Sequence, residues 1–415
     1  MFETLFQYPA IVARHRGGPF TEARERFLNY RASQGLARAT LQRYAQELLV
    51  VAERIDIAGG NLIESSTIEA AADRWAREQH QRQRACDLRW SRGLFVQTAT
   101  DWLRFLGCLE VRRAKTVPCA DRIADFAAYR RDERGLSPAT IWNQCWHVEK
   151  FLAWLTEQDR AFTDISLEDV DAFLAGNGKR GWCRVSVAAS AKALRAFFQH
   201  AAMRGWCAAR VAAGIDGPRL FQHEVLPMGP PWPDVQRLIA STAGDFARDI
   251  RDRAILILLA AYGLRSSEVI GLRLEDVNWD SETVSIRRPK QRRAQEYPLV
   301  SEAGEAILRY LERVRPRCAQ RELFLTFKAP FRRLSQGSLY HLVSTRLVAL
   351  GIHVPRHGPH SLRHACAGRL VSEGFSLKEI GDHLGHSSAY ATRIYAKVDL
   401  VGLREVANYD LGGLR

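Results

Sequence analysis

Six polar side chains in the last third of the chain are of types that together can break and remake a phosphodiester. They lie in Gly263-Leu264-Arg265-Ser266-Ser267-Glu268, at Lys290, in His360-Ser361-Leu362-Arg363, in Leu384-Gly385-His386 and at Tyr395. Two guanidiniums, an ammonium and two imidazoles can neutralise the charge that builds on a phosphodiester under attack. A phenol oxygen can form a covalent ester with the phosphorus. This chemistry calls for no bound metal.

Each of these residues needs an element to hold it. The run from Ala254 to Tyr262 is apolar nearly all round and predicts a buried helix that stops at Gly263. Arg265 therefore starts a new segment beside the core, where an arginine without an anion costs several kcal/mol. Glu268 offers a structural ion pair; alternatively Arg265 grips a phosphate in two-pronged fashion and Glu268 supports it from behind. Val284-Ser285-Ile286 and Tyr297-Pro298-Leu299 flank a basic stretch and predict a β-hairpin. Lys290 sits in that stretch, where crowding by positive charge lowers an amine's pKa and suits it to protonate a departing oxygen. Arg287, Arg288, Arg292 and Arg293 are its neighbours and candidates to track a phosphate backbone. Pro359 suits the first turn of a helix that puts His360 and Arg363 on one face, with His364 read as a packing residue. Ser376-Leu377-Lys378-Glu379 is a capping box, and the helix it starts runs to Gly385, leaving His386 on a turn. Ser387 or Ser388 can cap the next segment, which holds Tyr390 and Tyr395.

Composition names the class of partner. Sixty Lys and Arg against 46 Asp and Glu give a formal charge of +14 over 415 residues, and the pI near 9.7 favours a polyanion, nucleic acid first. With 47% hydrophobic and 26% charged residues, the chain has the balance of a folded protein of two or three domains. The eight cysteines contain no Cys-x-x-Cys pair, which argues against a zinc site or a disulfide framework. Most are read as small buried residues in a reducing compartment, as in Trp182-Cys183 and Trp206-Cys207. The N-terminus shows no export signal, and the longest apolar stretch is far shorter than the roughly 20 residues of a membrane span. The expectation is a cytoplasmic protein with no membrane partner, nucleoid-associated when bound to DNA.

Two helical blocks precede the chemistry, one from 21 to 110 and one from about 119 to 212. They echo each other: Phe27 to Arg31 leads to Gly35-Leu36-Ala37-Arg38-Ala39-Thr40, and Phe126 to Arg130 leads to Gly135-Leu136-Ser137-Pro138-Ala139-Thr140. Residues 213 to 233 are rich in Gly and Pro and read as a linker. The first 20 residues show no clear period and are expected to be irregular.

In order, type and spacing, these motifs resemble the catalytic domain of tyrosine recombinases, the group that includes phage and integron integrases and chromosome-dimer resolvases. Tyr395, not Tyr390, stands at the family distance from His386, so Tyr390 is assigned to packing. The resemblance implies that Arg265, Lys290, His360, Arg363, His386 and Tyr395 are catalytic. Arg265 and Arg363 would clamp the phosphate and Lys290 would protonate the 5′ oxygen. His360 would bond the phosphate and accept the tyrosine proton, and His386 would touch a non-bridging oxygen. Pro289 and Gln291 depart from the glycines usual on either side of the hairpin lysine.

The second helical block, with its Gly135 to Thr140 turn and the Ala191 to Phe198 helix, resembles the core-binding domain of the same family. The fold expected is mainly α with a small β-sheet or hairpin: an α+β catalytic domain preceded by helical-bundle DNA-binding domains. The expected division is an N-terminal helical domain over 1–117, serving as an extra DNA-binding or interaction module, and a core-binding domain over 118–212. A linker over 213–232, a catalytic domain over 233–397 and a tail over 398–415 complete it.

The activity implied is site-specific recombination or integration, including transposition of a mobile element, through a 3′-phosphotyrosyl intermediate in duplex DNA. Ester exchange conserves the bond energy, so no cofactor is expected, and no Gly-x-x-x-x-Gly-Lys-Ser/Thr loop is present. A homotetramer or mixed recombinase assembly on DNA, with accessory directionality proteins, is implied. The alternatives are a type IB topoisomerase and a catalytically silent DNA-binding accessory factor.

Overall fold

The computed structural model describes residues 1–57, 62–81, 88–110, 118–220, 229–288, 293–386 and 392–397. Its contacts fall into two compact units, one joining Met1–Arg54 to the chain from His223 onward, the other comprising Ile55–Gln222.

The first unit begins with α1 (Phe2–Leu5), α2 (Pro9–Gly17), α3 (Thr21–Ser33) and α4 (Arg38–Ala52). The first 20 residues are thus largely helical, where the sequence reading expected irregular chain. The reason is packing that weak local periodicity does not reveal. Phe2 and Leu5 are buried, the N-terminal ammonium bonds the Glu25 carboxylate at 3.0 Å, and the His15 ring stacks on Phe2 and Phe6. The buried Arg24 closes the α2–α3 turn by donating to the carbonyls of Pro19 and His15.

The second unit holds α5 (Ser65–Gln81), α6 (Leu88–Leu106), α7 (Ala120–Asp132), α8 (Pro138–Glu157), α9 (Leu167–Lys179), α10 (Arg184–Met203) and α11 (Ala209–Gly214). Phe126, Phe151, Phe173, Phe197 and Phe198 fill the core among α7 to α10. Ser137 caps α8 with Pro138 in its first turn, and Ser166 with Asp169 forms a capping box on α9. Of the described cysteines Cys145 and Cys366 are buried, Cys108, Cys119, Cys207 and Cys318 are half-buried rather than buried as expected, and Cys183 is exposed. This corrects its reading as a buried residue, because it precedes α10 as the N-cap rather than lying on the inward face.

The sequence echo is also an echo of local structure. Gly35 and Gly135, at φ of 82° and 60°, each turn one helix into the next. Arg31 donates to the Tyr44 hydroxyl across α3–α4 at 2.7 Å, and Arg130 donates to Gln144 across α7–α8 at 3.0 Å. Each arginine also lies over the phenylalanine one turn earlier, Phe27 or Phe126.

The remainder of the first unit is α12 (Trp232–Ala240), α13 (Ala247–Ala261), α14 (Ser266–Gly271), strands β1 (Val277–Asn278), β2 (Thr283–Arg288) and β3 (Arg293–Pro298), α15 (Ser301–Arg313), α16 (Gln336–Ala349), α17 (Pro359–Ser372), α18 (Leu377–Leu384) and a 3₁₀ turn, Arg393–Lys397. The strands form an antiparallel sheet in the order β1-β2-β3, with Val284 opposite Tyr297, which is the hairpin the sequence pattern predicts. Helix α13 is the centre of this core, buried from Ala254 through Ala260. Among the described residues no helix is long and apolar enough to cross a membrane.

Candidate active site

The site grows from the point where α13 stops. Gly263 takes a left-handed conformation at φ 59°. A Cβ there would lie 2.5 Å from a Leu384 methyl and 3.2 Å from the Cys366 sulfur, so only glycine lets this turn approach α17 and α18 so closely. Arg265 follows as the N-cap of α14. Its backbone N–H donates to Glu268 Oε2 at 2.8 Å, its Nη1 to Glu268 Oε1 at 2.7 Å, and its Nη2 to the Gly385 carbonyl at 3.2 Å. The Glu268 side chain is 2% exposed and that of Arg265 34%. The carboxylate is therefore held inside while the guanidinium keeps one edge open.

Arg363 reaches the same turn from α17. It is buried and donates to the carbonyls of Gly263 and Leu384. Arg288 reaches it from β2, also buried, donating to the carbonyls of Leu384 and Gly385 and to the Tyr297 hydroxyl. Tyr297 in turn donates to the His383 carbonyl. Gly385 closes α18 at φ 58°, and a Cβ on it would collide with the Arg288 guanidinium. Three arginines from three elements thus converge on the Leu384–Gly385 backbone. With Glu268 as the carboxylate among them, these four groups carry an excess of two positive charges, an arrangement that suits a phosphate anion. Burial first, then the charge of Arg265, lowers the pKa of Arg363 to about 10.

His386 follows the turn, and its Nδ1 pairs with the Thr392 hydroxyl at 2.8 Å. Its ring lies parallel to that of Tyr395, centroids 6.4 Å apart. Tyr395 is 2% exposed, and its hydroxyl meets Nδ1 of His364 at 2.9 Å. His360 packs edge-to-face on His364 at 4.4 Å and is itself exposed at the start of α17. Burial, then Arg363, Arg265 and Arg288, lowers the pKa of His386 to about 4. Burial pushes the Tyr395 phenol up to about 12, opposed by Arg363. Both side chains therefore stay neutral at neutral pH.

Of the residues singled out in the sequence, Arg265, Glu268, His360, Arg363, His386 and Tyr395 are brought to one side of the unit around the ends of α17 and α18. Lys290, Arg292, Tyr390, Ser387 and Ser388 lie outside the described residues, as does the Arg293 side chain. Arg287 pairs with Asp276 at 2.9 Å and keeps its side chain 58% exposed. Arg288 does not face outward with it but is turned into the core of the site. The strand alternation contains that signal: Val284, Ile286 and Arg288 share one face, and the first two are apolar. Sequence reasoning missed the Arg288–Tyr297 anchor and assigned His364 to packing, although His364 stands one helical turn from His360. Among the described residues no cluster of His, Cys, Asp or Glu could hold a metal ion.

A fold of helical bundle plus a mixed helical and hairpin domain, with a tyrosine among arginines and histidines, defines a class of DNA strand-exchange enzymes. The comparisons agree. Residues 233–400 match the phage integrase family, and residues 123–205 match the N-terminal SAM-like domain of phage integrases. An integrase/recombinase of Sinorhizobium fredii strain NGR234 is 36% identical, covering 68% of this chain and 69% of that protein. The tyrosine recombinase XerD of Lacticaseibacillus casei is 30% identical over 66% of this chain and 92% of its own length. Among solved structures, the XerH site-specific recombinase in a post-cleavage complex with its palindromic difH substrate has the same fold. Its TM-score is 0.55 at 18% identity, over 83% of this chain and 96% of that one. The chain belongs to the phage integrase family of tyrosine recombinases, and it is a site-specific recombinase, an enzyme that cleaves and rejoins DNA.

Proposed function

We propose that this recombinase cuts duplex DNA by attack of Tyr395 on a backbone phosphate, holds the strand as a 3′-phosphotyrosyl ester, and rejoins it to a new 5′ hydroxyl. The observation that carries this reading is the convergence of Arg265 and Arg363 on the turn at Leu384–Gly385, with His386 next in the chain and its ring beside that of Tyr395. Arg265 and Arg363 neutralise the non-bridging oxygens as charge builds on them. Glu268, bonded twice to Arg265, fixes the angle of that guanidinium. His360, at the exposed start of α17, and His386 bond the phosphate. Lys290 protonates the departing 5′ oxygen, with Arg287, Arg292 and Arg293 along the neighbouring backbone. Ester exchange conserves bond energy and needs no cofactor.

Residues 118–212 and 233–397 act as core-binding and catalytic domains joined by the 213–232 linker. Residues 1–117 extend the grip on DNA, a role supported by the α3–α4 hairpin repeating the local structure of α7–α8. Exchange between two duplexes takes four active sites, hence a tetramer, its own or mixed with a partner recombinase, formed on DNA where the chromosome lies. Transposition or integration of a mobile element is the setting these features suit.

The test is a nicked suicide substrate resolved on a denaturing gel. A covalent protein–DNA adduct is expected from the native chain and from Tyr390→Phe. It should be absent from Tyr395→Phe, which still binds DNA. An adduct persisting in Tyr395→Phe would refute the assignment of the nucleophile.

A further inference from the structure

The Tyr395 hydroxyl is partnered not by His360 but by His364, whose Nδ1 lies 2.9 Å from it. We propose that His364 is a further catalytic residue: it holds the Tyr395 hydroxyl and takes its proton as the tyrosine oxygen attacks the phosphate. This rests on the reading of Tyr395 as the nucleophile.

A hydroxyl on a side chain only 2% exposed needs a hydrogen-bond partner, since a buried orphan costs about 1–3 kcal/mol. The neighbouring imidazoles are otherwise engaged. His386 has its Nδ1 on Thr392 at 2.8 Å, and its ring lies parallel to that of Tyr395 with centroids 6.4 Å apart. His360 packs edge-to-face with His364, centroids 4.4 Å apart, and lies at the exposed start of the helix. The histidines thus divide the work: His360 and His386 serve the phosphate, and His364 serves the nucleophile.

Accepting the proton requires a bare Nδ1. Burial, then His360, Arg363 and Arg356, lowers the His364 pKa to about 4, which keeps the ring neutral at neutral pH. The groups facing it are His360 and Arg363 on its own helix, Arg356 in the preceding loop and Tyr395 opposite. Those acting on Tyr395 are Arg363, Cys366 and Arg265, with His386 alongside. A phosphodiester anion between Arg265 and Arg363 offsets this cationic field and raises the affinity of His364 for a proton.

In cleavage the Tyr395 O–P bond forms as the P–O5′ bond breaks. The phenol proton passes to His364 Nδ1, and the 5′ oxygen takes a proton from the general acid assigned to Lys290. Rejoining runs in reverse, with the His364 imidazolium returning the proton to the departing tyrosine.

The experiment follows single-turnover adduct formation on the nicked substrate against pH, with DNA affinity and thermal unfolding measured alongside. It compares the full chain with His364→Ala, His364→Asn and His360→Ala, each with tyrosine or with a more acidic fluorotyrosine at 395. His364→Ala should slow cleavage by about 10²–10⁴ at unchanged affinity, and fluorotyrosine should restore most of that loss while leaving His360→Ala unrelieved. His364→Asn, which can hydrogen-bond but not accept a proton, should stay slow and lose the acid limb of the pH profile. Three results would overturn the proposal: native rates in His364→Ala, no relief by fluorotyrosine, or full native behaviour in His364→Asn. Failure of the underlying reading shows separately, as an adduct that survives Tyr395→Phe.

Discussion

The Glu268 carboxylate stands 3.6 Å from the guanidinium of Arg288, each side chain 2% exposed. Since Glu268 also holds Arg265 at 2.7 Å, one buried carboxylate ties the N-cap arginine of α14 to the hairpin strand β2. The hairpin carries the lysine, and its Arg288 also grips the turn before His386. The pair therefore couples three parts of the site that are far apart in sequence.

Removing that coupling should cost both stability and rate. Arg288→Ala leaves Tyr297, Leu384 and Gly385 short of donors, worth about 1–3 kcal/mol in chemical denaturation. Adduct formation should fall with DNA affinity within about tenfold. Arg288→Lys should not restore it, because one ammonium cannot reproduce the planar fork that spans the two carbonyls and the phenol. Gly385→Ala should be as damaging, through its positive φ and the collision with Arg288.

Arg265 and Arg363 differ in what else they hold. Either one changed to Ala should slow cleavage by about 10²–10³. Arg363→Ala should also lower the melting temperature clearly, since Arg363 is 2% exposed and bonds two backbone carbonyls. Arg265→Ala should do so less, its side chain being 34% exposed. Near-native cleavage in both would show that these arginines serve structure only.

For the leaving group, Lys290→Ala should be rescued by a 5′-bridging phosphorothiolate, whose sulfur departs without protonation. Rescue confined to Arg292 or Arg293 variants would move the role along the hairpin. The readout is the ratio of cleavage rates on the two substrates.

Stability should decline in acid. His15, stacked between Phe2 and Phe6, has its pKa lowered from 6.5 to about 4, by burial first and then by Arg24 and Arg14. A histidine held neutral in the fold binds its proton more readily when unfolded. Its contribution is thus full above about pH 6.5 and lost as the pH falls toward and through about 4. His364 and His386 act in the same direction. The melting temperature should drop between pH 7 and pH 4, and His15→Phe, which keeps the stack without the titration, should reduce that slope. An unchanged slope would show that His15 binds its proton equally well in the folded and the unfolded chain.

By itself the sequence determined the elements and the chemical types: the apolar run of α13, the Gly263 stop, the capping box of α18, the hairpin alternation, and the order of arginine, histidine and tyrosine. These are local signals, set by periodicity and by backbone preferences at glycine, proline and caps, and they are readable without knowing what packs on what. The tertiary structure alone decided which side chain touches which. Whether Arg288 faces solvent or Leu384, and whether Tyr395 meets His360 or His364, depends on side-chain directions across α17, β2 and the 384–386 turn, separated by up to 97 residues. The same holds for the first 20 residues, whose helices follow from burying Phe2 and Leu5 rather than from any period in their own sequence. A pairing set by shape and burial between distant segments leaves no mark in local sequence, which is why the residue types were legible and their partners were not.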